Sequence, residues 1–350
     1  MKLKVENRYF EVALNTSNYF NSCWTNINTT EWGGRALTED PDFVYSDAVA
    51  IMTGLFTTFE SILGIVLNLL VILSVLRSKD IRKEYLTPSI LSIAITNFIF
   101  SVYIIPLTAI KFFIGDMPLP TGCEFRSFIG HALWILSALN LFVIAVLRCF
   151  AVFFPLRTTN KSFYYVCSIW PLLNWIKSIL VMLPTLLGIN GRFGLECRSF
   201  MCKMIDVDFE GHLPHLHPLI MYMIIIMTIG TVMFSLNLVT YFRVWYHSKN
   251  MFNQMKDVNM ELARHMLGRE KKFGKMIGIV SAAFLIVHVP IIVLLSVDEH
   301  AAATNENAMM AAIVLGYGLV VVDPLAYIFC NAKYRKEIKI LLRPILYLIR

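Results

Sequence analysis

Four stretches of this chain, residues 85–110, 127–147, 211–242 and 276–297, contain no Asp, Glu, Lys or Arg. Three further apolar runs each carry a charge: about 48–76 with Glu60, about 163–190 with Lys177, and about 307–330 with Asp323. At a rise of 1.5 Å per residue, runs of this length cross a hydrocarbon core of about 30 Å. Backbone in lipid must satisfy its own hydrogen bonds, so each run is predicted to be a helix. The pattern therefore predicts an all-α membrane protein, a seven-transmembrane helix bundle whose helices are called spans one to seven here. From Asn331 the sequence NAKYRKEIKILL mixes basic and apolar residues at helical spacing. It predicts a short amphipathic eighth helix lying on the inner surface. Three regions follow: an extracellular segment at 1–45, the bundle at 46–330, and a cytoplasmic helix and tail at 331–350.

Composition agrees. The chain is 57% hydrophobic and 16% charged, with a mean hydropathy of +0.63, whereas soluble domains carry about 25% charged residues. Length alone admits two soluble domains, but so apolar a chain would aggregate in water. Basic residues give the orientation. The first, third and fifth connections hold Arg77, Lys79, Arg82 and Lys83, then Arg157 and Lys161, then Lys249, Lys256, Arg264, Arg269, Lys271 and Lys272. The sixth holds Asp298, Glu299 and Glu306 and no base. This places the amino terminus outside and the carboxyl terminus inside, in the plasma membrane. The net charge of +7 is then a cytoplasmic-face charge facing membrane lipid, not a nucleic-acid patch. The triplets at Asn15 and Asn28 are glycosylation acceptors on the outer side. The first span is expected to serve as the insertion signal.

Several polar residues inside the spans call for partners. Asn68 and Asn97 are core amides expected to meet each other. Glu60 either lines a polar cavity or sits near the outer interface, and Lys177 needs a partner or water. Pro106 predicts a kink in span two. The topology puts Cys123, Cys197 and Cys202 outside, where a disulfide is permitted; Cys149, Cys167 and Cys330 are expected to be reduced. His212, His215 and His217 precede span five, but their spacing does not put all three on one helical face. They read as an outer rim, so no metal site, cofactor or catalytic cluster is expected.

Joint spacing then carries a resemblance. Cys123 stands 25 positions before Arg148, Trp175 stands 27 after it, and Glu270 stands 20 before Pro290. Span seven ends in Asp323-Pro324-Leu325-Ala326-Tyr327. Over about residues 46–342 the chain resembles the rhodopsin class of G-protein-coupled receptors. Its Gly-Arg-Phe-Gly at 191–194 is similar to the Moody and Trapped-in-endoderm group of arthropod orphan receptors. The resemblance implies a disulfide from Cys123 to Cys202 or Cys197. It implies a receptor, not an enzyme, that binds an extracellular ligand and catalyses nucleotide exchange on a heterotrimeric G protein. Its switch would pair Arg148 with Glu270 at rest and free it, as span six swings out, to meet Tyr241 and Tyr327. Asp323, Pro324, Phe284, His288 and Pro290 belong to the same machinery, and arrestin is a further possible partner. The tail after Cys330 has no Ser or Thr, so tail phosphorylation lacks substrates there.

The chain also departs from that pattern. Leu147 and Cys149 replace the acid and tyrosine flanking the arginine, Asn97 replaces an aspartate, His288 a tryptophan and Met233 a proline. Gly130 stands where amine receptors place an Asp, and Tyr317 where visual pigments place the retinal lysine. The ligand is therefore expected to be a peptide, a lipid or a small neutral molecule. Arg126, Phe128, Gly130, His131, His288 and Tyr317 are candidates to line its pocket. A transporter or ligand-gated channel is the alternative, but no internal repeat is visible.

Overall fold

The computed structural model describes residues 47–114, 123–154, 161–188, 192–196, 201–205, 218–255, 279, 282–283, 286–287 and 306–348. Span one is Asp47–Arg77, span three Cys123–Phe153, span four Lys161–Leu186, span five Pro218–Met255 and span seven Glu306–Cys330. Span six is represented by residues 279, 282, 283, 286 and 287, all helical. The eighth helix is Ala332–Leu348. Among the described residues, five helices are long and apolar enough to cross a membrane.

Span two is not one regular helix. It runs Thr87–Ile99, passes through a five-residue π-helical turn at Phe100–Ile104, and resumes as Ile105–Ile114. The cause is Pro106. Its ring and missing N–H cannot be fitted into an unbroken α ladder, and widening the preceding turn makes room. The Ile105 N–H donates to Phe100 O, five residues back. In that register the next donor would be residue 106, which has none, so Ser101 O needs another. Ser61 Oγ on span one supplies it at 2.7 Å. The predicted kink is thus a π turn capped from a neighbouring helix.

Span three is the centre of the bundle, packed against spans two, four and five. Of its most apolar stretch 61% is buried, against 28% for span four. Span one packs on spans two and seven. Gly64 lies where these three meet: a Cβ there would fall 2.2 Å from Ser101 Oγ and 2.8 Å from Val320 Cγ2.

The connection between spans four and five contains an element the hydrophobic pattern did not predict. β1 (Arg192–Glu196) pairs antiparallel with β2 (Met201–Ile205), with Leu195 opposite Cys202. Both strands rest on span three. The eighth helix buries Tyr334 and Ile338 and exposes Lys333, Lys336, Lys339 and Arg343. This is the amphipathic division that the sequence predicts. Lys333 Nζ reaches Glu84 Oε1 at 2.7 Å, and Arg77 lies 3.9 Å from Glu337. These pairs tie the helix to the first connection. Burial, with Glu84 nearby, pushes the Tyr334 phenol up.

Candidate functional site

At the inner end of span three, Arg148 is 3% exposed. A guanidinium snorkelling to headgroups would be far more open, so this one belongs to the bundle interior. Among the groups facing its charge are the Tyr327 and Tyr85 phenols and the Cys330 thiol. Tyr327 is equally buried, and among the described residues its hydroxyl has no hydrogen-bond partner. Tyr327 stands on span seven three residues past Pro324, inside the continuous helix. Tyr241, on span five, is instead about half exposed. Of the two tyrosines expected to meet the arginine, one is placed beside it. Tyr85, at the inner start of span two, was missed by the sequence reading; its position beside a basic connection carried no signal. Glu270, Phe284, His288 and Pro290 lie outside the described residues. Leu147 and Met233 are buried and Cys149 is partly exposed.

The middle of the bundle is a set of buried polar contacts. Asn68 and Asn97 do not pair with each other as expected; each reaches span seven. Asn68 Nδ2 donates to Val320 O at 2.8 Å, and Asn97 Nδ2 to Asp323 Oδ2 at 3.2 Å. The reason is Pro324. It has no N–H for the carbonyl four residues back, Val320 O, and the Asn68 amide fills that vacancy. A second set was not anticipated. Asn140 Nδ2 and Trp175 Nε1 both donate to Ser92 Oγ, at 2.9 and 3.1 Å, and Asn174 Nδ2 donates to Asn140 Oδ1 at 3.2 Å. These bonds join spans two, three and four. The reasoning applied to Asn68, that an amide in an apolar helix needs a protein partner, would have found Asn140 and Asn174.

The outer end holds the proposed pocket residues. Arg126 Nη2 donates to Thr108 Oγ1 at 3.2 Å, and Thr108 Oγ1 shares a hydrogen bond of 3.1 Å with the Tyr317 hydroxyl. Arg126 and Tyr317 are thus brought together across spans three, two and seven. Glu60 turns toward span seven, with Tyr317 and Gly318 as neighbours. This resolves its two readings in favour of the interior. His131 Nδ1 lies 2.8 Å from Ser127 O and its ring 5.6 Å from Phe193. Phe193 is 2% exposed and also meets Phe128, at 6.3 Å between ring centres. The Phe of the Gly-Arg-Phe-Gly sequence is therefore a plug over the outer end of span three. A Cβ on Gly130 would meet Ile104 Cδ1 at an ordinary 3.8 Å. Cys149, Cys167 and Cys330 form no disulfide among the described residues. The side chains of Cys123 and Cys202, all of Cys197, the acceptors Asn15 and Asn28, and the three histidines lie outside the description.

Comparison with known proteins agrees with this geometry. Residues 67–327 match the profile of the family described as 7 transmembrane receptor (rhodopsin family). The chain belongs to that family and is a G-protein-coupled receptor. It is 20% identical to the protein trapped in endoderm-1 of Drosophila melanogaster over 303 residues, covering 83% of this chain and 77% of that protein. It is 26% identical over 175 residues to the G-protein coupled receptor moody of Drosophila pseudoobscura pseudoobscura, covering 48% of this chain and 25% of that protein. The resemblance seen in Gly-Arg-Phe-Gly thus extends well beyond it. A match of 78 residues to the histamine H1 receptor of Cavia porcellus, 37% identical, covers 22% of this chain and 16% of that one. Squid rhodopsin shares the fold, with a TM-score of 0.69 and 19% identity over 91% of this chain and 93% of that structure.

Proposed function

We propose that this receptor takes an extracellular ligand into the outer half of its bundle and answers by catalysing nucleotide exchange on a heterotrimeric G protein. In this reading residues 1–45 form the extracellular segment, glycosylated at Asn15 and Asn28. Residues 46–330 form the bundle, and 331–350 the cytoplasmic helix and tail. Cys123 bridges to Cys202 or Cys197 and so fastens the β1–β2 hairpin over the pocket. Arg126, His131 and Tyr317 meet the ligand under Phe193. A peptide, a lipid or a small molecule fits, and Arg126 favours one with an anionic group.

The observation that carries the reading is the burial of Arg148. Arginine keeps its charge in a protein, and a buried charge needs a counter-charge. Glu270 supplies it at rest, holding the inner ends of spans three and six together. Ligand binding favours the packing in which span six moves outward and Arg148, already beside Tyr327, leaves Glu270 and meets Tyr241 as well. The cleft so opened admits the carboxyl-terminal helix of Gα. One element with two packings, biased from both ends, is the requirement for allostery. Arrestin would compete for the same cleft.

The test is nucleotide exchange on purified Gα by correctly inserted receptor. Glu270→Gln should raise basal exchange and Arg148→Ala should lower it. If both variants exchange at the parent rate, the switch does not run through this pair.

A further inference from the structure

Three charged residues lie inside the apolar runs: Glu60, Lys177 and Asp323. Asp323 is fully buried and Glu60 turns toward span seven. Lys177 does the opposite: it is exposed on the outward face of span four. That span turns Cys167, Asn174, Ser178, Met182 and Thr185 to the bundle, all buried. On its other side Val166, Trp170, Leu173, Lys177 and Leu180 form an exposed row. Their spacing of four, three, four and three is that of a helix-packing seam, with one polar position in it.

We propose that this row docks a transmembrane helix of a different protein, which carries a carboxylate at the depth of Lys177. Charge complementarity selects the occupant. A cation facing hydrocarbon is costly unless it meets a counter-charge, and a carboxylate on a neighbouring helix provides one. A second copy of this chain is disfavoured, because a two-fold contact on this face would bring Lys177 against its own like charge. A phospholipid headgroup is disfavoured by depth. Lys177 lies nine residues, about 14 Å, below the outer helix end at Leu186. Its ammonium turns away from that end, lying 5.3 Å over the Trp170 ring, two turns further in. Trp170 thus holds the charge away from the nearer helix end, at a depth where a carboxylate on a neighbouring span can meet it.

The full-length receptor would be reconstituted in phosphatidylcholine vesicles with labelled leucine–alanine transmembrane peptides of about 22 residues. One peptide carries a central Glu and the other a central Gln, and association is read by energy transfer. The Glu peptide should bind about tenfold more tightly than the Gln peptide. Lys177→Met should abolish the difference. Lys177→Glu should reverse it in favour of a peptide with a central Lys, which separates loss of the charge from loss of the fold. Equal binding of both peptides to the parent overturns the proposal, as does a preference that survives Lys177→Met. Anionic phospholipid that abolishes the preference would make lipid the occupant. Receptor self-association that Lys177→Met weakens would make it a second copy.

Discussion

Asn68 earns its place through a residue on another helix. Its amide supplies the hydrogen bond that Pro324 cannot give to Val320 O. Replacing it with Leu keeps the volume and leaves that carbonyl without its donor. In water an unsatisfied buried group costs about 1–3 kcal/mol. Interhelical bonds in membranes are worth about 0.6 kcal/mol on average and up to about 1.7. Asn68→Leu is therefore expected to destabilise by about 1 kcal/mol, seen as a lower thermal midpoint in detergent. Gly64→Ala should cost more, up to about 3 kcal/mol, since its Cβ would overlap Ser101 Oγ and Val320 Cγ2. A midpoint for Gly64→Ala equal to the parent's would mean the three spans are not packed as described. Leu147, buried beside Arg148, bears on signalling. Leu147→Asp gives the arginine a second counter-charge and should lower basal G-protein activity. Unchanged basal activity would show that the missing acid leaves Arg148 no less restrained.

Span two shows how much of an element its own sequence specifies. Its start follows from a charge-free run, though it continues past Lys111 to Ile114, and Pro106 announces a distortion. The kind of distortion does not follow, because it depends on Ser61, 45 positions away on another helix. This dependence can be measured. Ser61→Ala alone should destabilise by about 1 kcal/mol by stripping Ser101 O of its donor. Pro106→Ala restores an N–H at that place, so adding Ser61→Ala to it should cost little. A coupling of about 1 kcal/mol between the two sites is the expected result of the double-mutant cycle, and strictly additive effects would mean that Ser61 does not cap the π turn. The β1–β2 hairpin was hidden for a different reason. Five-residue strands held together by backbone bonds leave little period-two signal, and Phe193 is buried by span three rather than by its own sheet.

For the whole molecule, the spans were legible because lipid imposes one rule on every residue of a crossing helix. The candidate site was legible only where spacing fixes a place: Arg148 lies near Tyr327 at one end of the bundle, and Arg126 near Tyr317 at the other. Who pairs with whom was not, because the Asn68 and Asn97 partners depend on how span seven rotates against spans one and two. Orientation rests on charge alone; packing adds only that two of the basic regions share a side. The eighth helix binds the first connection through Lys333–Glu84 and Arg77–Glu337, so these two basic regions share one side of the membrane. With seven crossings the amino terminus lies on the other side. Asn15 and Asn28 should then carry glycans, and Asn15→Gln with Asn28→Gln should remove the endoglycosidase-sensitive mobility shift. An acceptor triplet engineered beyond Leu348 should stay unmodified. Glycosylation at that carboxyl-terminal triplet would invert the bundle and place Arg148 on the outer face, where no G protein could reach it.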